Sequence, residues 1–176
     1  LQNSTLTLGS GDLGTLNVST QTTLTLGGLA GDANFSLINK AAAPLSVNTV
    51  NIGLANTSTT YSGALSIPVN QAMMGTLATS TAVTVTDAST LIAGMKVYGV
   101  GVPAGTTIAS IAGNTVTLSA AATASGSANL FFEAPVFSLN KNGRGALTLS
   151  GVETFNNNST STITVNAGAL VLGPGA

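Results

Sequence analysis

The chain has 176 residues, with 4 Lys+Arg against 5 Asp+Glu, no His and no Cys. Charged residues make up 5% of it, against roughly 25% in ordinary soluble domains. That composition removes the commonest general base and metal ligand, excludes thiol nucleophiles and disulfides, and at a net charge of −1 leaves no electrostatic footprint for nucleic acid or anionic lipid.

A period-two beat runs through the chain from its start. Leu6-Thr7-Leu8, Leu16-Asn17-Val18, Leu24-Thr25-Leu26, Leu45-Ser46-Val47 and Val50-Asn51-Ile52 each read as a short strand with one apolar face. Gly9-Ser10-Gly11-Asp12, Gly27-Gly28 and Gly31-Asp32 punctuate them, and Ala41-Ala42-Ala43 before Pro44 reads as a corner. From about Gly75 to Phe132 the strands lengthen. Thr81–Thr86, Gly94–Val100, Thr106–Ile111 and Thr115–Leu118 read as strands, Gly101–Gly105 as a tight turn and Ser119–Ser127 as a loop, with Asn129–Phe132 closing the segment. The short beat then returns at Leu147-Thr148-Leu149, Ile163-Thr164-Val165 and Leu170-Val171-Leu172, with Asn156-Asn157-Asn158 and Gly173-Pro174-Gly175 as turns.

The pattern predicts an all-β fold: a right-handed parallel β-helix, or solenoid, over 1–69 and 134–176, interrupted at 70–133 by a small antiparallel β-module. A sandwich or barrel is the competing architecture. Very short strands, uniform aliphatics with only 4% aromatics, and outward Thr and Asn suited to stacks of like residues favour the solenoid. The closing Leu170-Val171-Leu172 and the opening Leu6-Thr7-Leu8 share one beat, so we expect a unit of a longer repetitive β-structure, or a subunit that docks end to end. No apolar run approaches the roughly 18 residues that span a bilayer as a helix.

Lys141–Phe155 and Thr162–Gly173 resemble the passenger-associated repeats of bacterial autotransporters, with Leu147-Thr148-Leu149-Ser150-Gly151 as one strand and Thr164-Val165-Asn166-Ala167-Gly168-Ala169-Leu170 leading into the next. Phe155 stands where those repeats carry Tyr. Leu26–Gly31 and Ser58–Ser66 are similar to passenger sequence as well. Gly94–Gly126 resembles a β-module of bacterial surface and phage tail proteins, with Val102 in place of the usual Ile. The resemblance implies a secreted or cell-surface bacterial protein and carries no catalytic residues.

Gly9-Ser10-Gly11-Asp12-Leu13-Gly14 is a literal G-x-G-x-x-G, but a strand pattern, Thr15–Val18, follows where dinucleotide binding requires a helix, so we read a turn. Of Asp12, Asp32, Asp87, Glu133 and Glu153, only Asp12 and Asp32 offer a plausible carboxylate pair. A glycosidase holds its two carboxyls about 5–10 Å apart, and Asp in a Gly-rich corner more often caps local amides. The Asp spacing of calcium-binding β-rolls is missing. Lys141 and Arg144 could grip an acidic polysaccharide, but flank a solvated corner on the simpler reading. Tyr61, Tyr98 and Phe155 could stack on sugars, with packing as the default. Asn3, Asn17, Asn34, Asn56, Asn157 and Asn158 open Asn-x-Ser/Thr sequons, which Asn- and Thr-rich composition produces by chance.

We therefore assign no catalytic, cofactor or metal residue and expect a non-enzymatic, structural extracellular unit. Its partners are further copies of itself, stacked axially. An adhesin or a phage-tail-like module that binds cell-surface glycan is the alternative.

Overall fold

The computed structural model describes residues 1–12, 21–37, 49–67, 69–154 and 160–174. Among them every regular element is a strand. The first seven are β1 (Thr5–Leu8), β2 (Thr23–Leu26), β3 (Gly28–Gly31), β4 (Phe35–Ser36), β5 (Thr49–Ile52), β6 (Thr59–Tyr61) and β7 (Leu65–Ser66). Six strands of three to nine residues follow: β8 (Gln71–Ala78), β9 (Ala82–Val85), β10 (Lys96–Tyr98), β11 (Ile108–Ala112), β12 (Thr115–Leu118) and β13 (Ser125–Glu133). The chain then returns to short strands with β14 (Ser138–Lys141), β15 (Ala146–Leu149), β16 (Glu153–Thr154), β17 (Thr162–Val165) and β18 (Ala169–Leu172). The expected strands at Leu16–Val18 and Leu45–Val47, and the Pro44 corner, lie outside the described residues.

The short strands pair only in parallel. They form three sheets, ordered β1-β3-β6-β15-β18, β2-β5-β14-β17 and β4-β7-β16. Successive sets β2-β3-β4, β5-β6-β7 and β14-β15-β16 each give one strand to every sheet; we call each set a tier. Asn51 pairs 26 residues after Thr25 and Asn166 pairs 24 after Asn142, whereas Asn140 pairs 89 after Asn51. The long step is where β8–β13 enter.

Register explains why strands of four residues suffice. Leu24, Val50, Leu139 and Ile163 stand in one column, and Leu26, Ile52, Lys141 and Val165 in the next. Each strand puts alternate side chains inward, so the tiers share one core with Leu29, Tyr61, Leu65, Leu147 and Leu149. The outward column Thr25, Asn51, Asn140 is bonded tier to tier, Asn140 Nδ2 donating to Asn51 Oδ1 at 2.9 Å and Asn51 Nδ2 to Thr25 Oγ1 at 3.4 Å.

Strands β8 to β13 make an antiparallel sheet ordered β10-β13-β8-β9-β12-β11. Its two edges meet: Lys96 bridges Thr107, Val97 N donates to Thr106 O at 2.8 Å and Ile108 N to Met95 O at 2.9 Å. The curled sheet encloses a second core that includes Val83, Leu91, Ile92, Met95, Val116, Leu130 and Phe132. Ala134 N donates to Asn70 Oδ1 at 2.9 Å, tying together the two chain segments that enter and leave the sheet.

Two expectations are corrected. Part of the Ser119–Ser127 stretch, expected as a loop, is strand: β13 starts at Ser125 and pairs with β8 from Ser125–Ala78 to Phe132–Gln71. Its small residues are held there by the partner strand rather than by apolar side chains of their own. Gly28 and Gly31, expected as turn punctuation, bound β3. A Cβ on Gly28 would lie 2.8 Å from Thr5 Oγ1 and 2.9 Å from Thr59 Cγ2, so glycine here admits the tiers on either side.

Close stacking sets a second glycine requirement at the corner after β5 and β14. Gly53 and Gly143 both have positive φ, 102° and 71°. A Cβ on Gly143 would meet Gly53 O at 1.8 Å, and one on Gly53 would meet Asn142 O at 2.1 Å. Gly143→Ala should therefore destabilise the chain by about 2–3 kcal/mol, read as a lowered denaturant midpoint. Gly113→Ala, also at positive φ but with open space around it, is the control that isolates the cost of φ alone.

Candidate functional site

The corner after β1 brings the two candidate carboxylates together. Gly9 N donates to Asp12 Oδ2 at 2.7 Å, and the next amide, Ser10 N, donates to Asp32 Oδ1 at 2.7 Å, with Ser10 Oγ on Asp32 Oδ2 at 3.1 Å. Both groups are exposed and cap consecutive turn amides; Asp12 does so locally, as expected of Asp in a corner, whereas Asp32 reaches across from the corner after β3, 22 residues on. The G-x-G-x-x-G segment is a turn as far as Asp12; Leu13 and Gly14 lie outside the described residues. The other acids are engaged elsewhere: Asp87 with Ser89, Glu133 with the Tyr98 hydroxyl, Glu153 with the Leu65 amide. Among the described residues, no three His, Cys, Asp or Glu side chains gather where they could hold a metal ion.

Lys141 departs from the solvated-corner reading. It is 1% exposed, in the inward column between Ile52 and Val165. Its stem fills an aliphatic rung, and its Nζ donates to Asn142 O at 2.5 Å, Gly143 O at 3.0 Å and Ala167 O at 3.2 Å. Three carbonyls match the three protons of an ammonium. Burial pushes its pKa below the ordinary lysine value. Two acceptors belong to its own tier and the third to the turn between β17 and β18, which together form the last tier, so the ammonium fastens that tier to the β14-β15-β16 set. Arg144 stays exposed, its backbone N donating to Asn56 Oδ1 at 3.0 Å. Lys141→Met keeps the stem and orphans the carbonyls; it should cost about 2–4 kcal/mol. Amides of 162–172 should lose hydrogen-exchange protection before those of β5.

Tyr61 is fully buried, not a sugar platform. Its hydroxyl donates to Ala33 O at 2.7 Å and lies 3.3 Å from Ala64 O. Glu153, opposite Leu65 in register, accepts from Leu65 N at 3.2 Å through Oε2, while its buried Oε1 has no partner. Burial raises the Glu153 pKa above the ordinary carboxylate value, and burial with the Glu153 charge pushes Tyr61 up to about 12. A raised acid adds stability that is complete below the unfolded value, 4.5 for Glu, and is lost as pH rises through the folded one. Wild type should therefore gain stability on acidification from neutrality towards pH 4.5. Glu153→Gln should melt higher than wild type at pH 7 and lose that advantage near pH 4.5, as thermal melts across the range would show.

The largest unsatisfied feature is the last tier. β17 and β18 are the outer strands of their sheets, each paired on one side among the described residues. Ile163 and Val165 continue the columns of Leu139 and Lys141, and Leu172 that of Leu149. Yet Ile163 is 46%, Val165 48% and Leu172 55% exposed, where their register partners are at most 1%. At the opposite end β1 is also an outer strand, with Leu6 and Leu8 packed on the core from one side. The alternation in β17 and β18 was legible; that no described residue covers it was not, because the same alternation on β2, also an outer strand, leaves Leu24 and Leu26 buried.

Of the remaining candidates, Tyr98 is exposed beside Phe131, which the sequence reading did not single out, and Phe155 lies outside the described residues. Among the sequons, Asn3 is exposed, Asn34 and Asn56 accept backbone hydrogen bonds from the next tier, and Asn17, Asn157 and Asn158 lie outside the described residues. Comparison with protein-family models, with curated proteins and with solved structures finds no match.

Proposed function

We propose that this chain is a structural unit of an extracellular, bacterial surface protein or filament, and that it stacks end to end with further copies. On this reading the tiers are successive coils of a right-handed parallel β-helix, and β8–β13 form a module carried on its side. The observation that carries the proposal is the last tier: apolar residues in line with a buried core, on strands with one side unpaired. Such an edge is a template for another strand. A repeat array without polar caps exposes its core unless it is covered. The β1 edge of a second copy, with Leu6 and Leu8, offers aliphatics of the same kind and strands of the same length. The near absence of charge supports the reading, since little repulsion opposes self-association. So does the resemblance of Lys141–Phe155 and Thr162–Gly173 to autotransporter passenger repeats. No described group of side chains supports catalysis.

Sedimentation velocity over a concentration series tests this. Wild type should grow in mass with concentration, while Ile163→Lys with Val165→Lys should remain monomeric with an unchanged fold by circular dichroism. A wild-type monomer at millimolar concentration, or association indifferent to both lysines, would overturn it.

A further inference from the structure

The aromatic residues are sorted unevenly. Phe35, Tyr61, Phe132 and Phe137 are buried, and among the described residues the two exposed aromatic side chains, Tyr98 at 44% and Phe131 at 41%, sit together. They face each other in register across β10 and β13, ring centroids 6.2 Å apart and tilted by 40°. Strand alternation puts Asn129 and Glu133 on the same outward face of β13 as Phe131, and Lys96 on that of β10, opposite Glu133. Met74, opposite Asn129 on β8, is exposed at one end of the rings.

Three properties go beyond an exposed apolar patch. First, the Tyr98 ring is held: its hydroxyl donates to Glu133 Oε2 at 2.6 Å, so a ligand has less ordering of that ring to impose. Second, polar groups stand at both ends of the ring pair: the Glu133 carboxylate with the Lys96 ammonium opposite, and the exposed Asn129 amide. Third, the opposite charges of Lys96 and Glu133 favour neither a cationic nor an anionic ligand. Apolar ring faces bordered by carboxylate and amide complement a molecule whose apolar C–H face alternates with hydroxyls at its rim, which is the chemistry of a pyranose.

We propose that the Tyr98–Phe131 face of the antiparallel sheet is a binding shelf for a neutral pyranose glycan. It goes beyond the stacking role and does not depend on it, because none of its residues lies on the end strands. Tyr98 and Phe131 stack on the sugar, and Asn129 and Glu133 set its orientation.

Calorimetric titration of the full chain with cellohexaose and with chitohexaose, beside an oligogalacturonate, tests the shelf. At least one neutral oligosaccharide should bind saturably, and Tyr98→Ala and Phe131→Ala should each weaken it by about tenfold or more, the order expected for losing one stacked ring. Tyr98→Phe, which keeps the ring, should weaken it less. Circular dichroism identifies variants that have lost the fold; Met74→Lys, on the same face beyond the rings, is then the second variant and should also weaken binding. No binding of either neutral oligosaccharide at millimolar concentration, binding only of the acidic one, or binding indifferent to Tyr98→Ala and Phe131→Ala would overturn the proposal. So would loss of self-association in Phe131→Ala, which would make the face a contact between copies. Failure of the shelf leaves the Ile163/Val165 sedimentation result untouched, so the two proposals fail separately.

Discussion

In-register parallel pairing is the constraint on which the parallel part of the fold rests. A strand of four residues presents two inward side chains and cannot form a core alone. Leu24, Leu26, Val50, Ile52, Leu139 and Leu147 are buried, and each lies in register with an aliphatic residue on the adjacent strand of its sheet. The corner glycines follow from the same spacing. Strands about 4.8 Å apart leave no room for a Cβ between Gly53 and Gly143, whose backbones approach closely. Beyond β17 and β18 no described strand continues the columns, and Ile163, Val165 and Leu172 are exposed.

Charge is scarce, and two of the charged groups are built into the stack. Lys141 turns an aliphatic column into a three-carbonyl clamp on the last tier. Glu153 sits near Tyr61 with one oxygen unpartnered, a local cost of burying a carboxylate. The antiparallel sheet has its own core and reaches the tiers through the segments around Asn70 and Ala134. It can therefore carry a surface such as the Tyr98–Phe131 face without disturbing the columns.

The strand content was largely legible in the sequence, because alternation is a local signal: β1, β2, β5, β9, β12, β15, β17 and β18 lie where the beat places them. β3 was not, since glycine counts as punctuation when read locally, and only the Thr side chains of adjacent tiers explain Gly28 within a strand. The start of β13 and all of β8 were missed for a related reason. Their small and polar residues are specified by each other across the eight register pairs from Ser125–Ala78 to Phe132–Gln71 rather than by an apolar run. Lys141 misled because a lysine two residues from a glycine reads as a solvated corner, while its burial depends on the carbonyl of Ala167, 26 residues on. Phe131 was legible in part: next to Leu130 and Phe132 it has to face outward, but its meeting with Tyr98 is a matter of strand order.

Hydrogen exchange of the intact chain over a range of protein concentrations tests the stacking account most directly. Amides of β5, β14 and β15 should be protected at every concentration. Those of β17 and β18 should exchange fast in dilute solution and slow progressively as concentration rises, as a second copy covers the open edge. Equal protection of β17 and β18 at the highest dilution, or none at any concentration, would contradict the claim that these columns are completed by another copy.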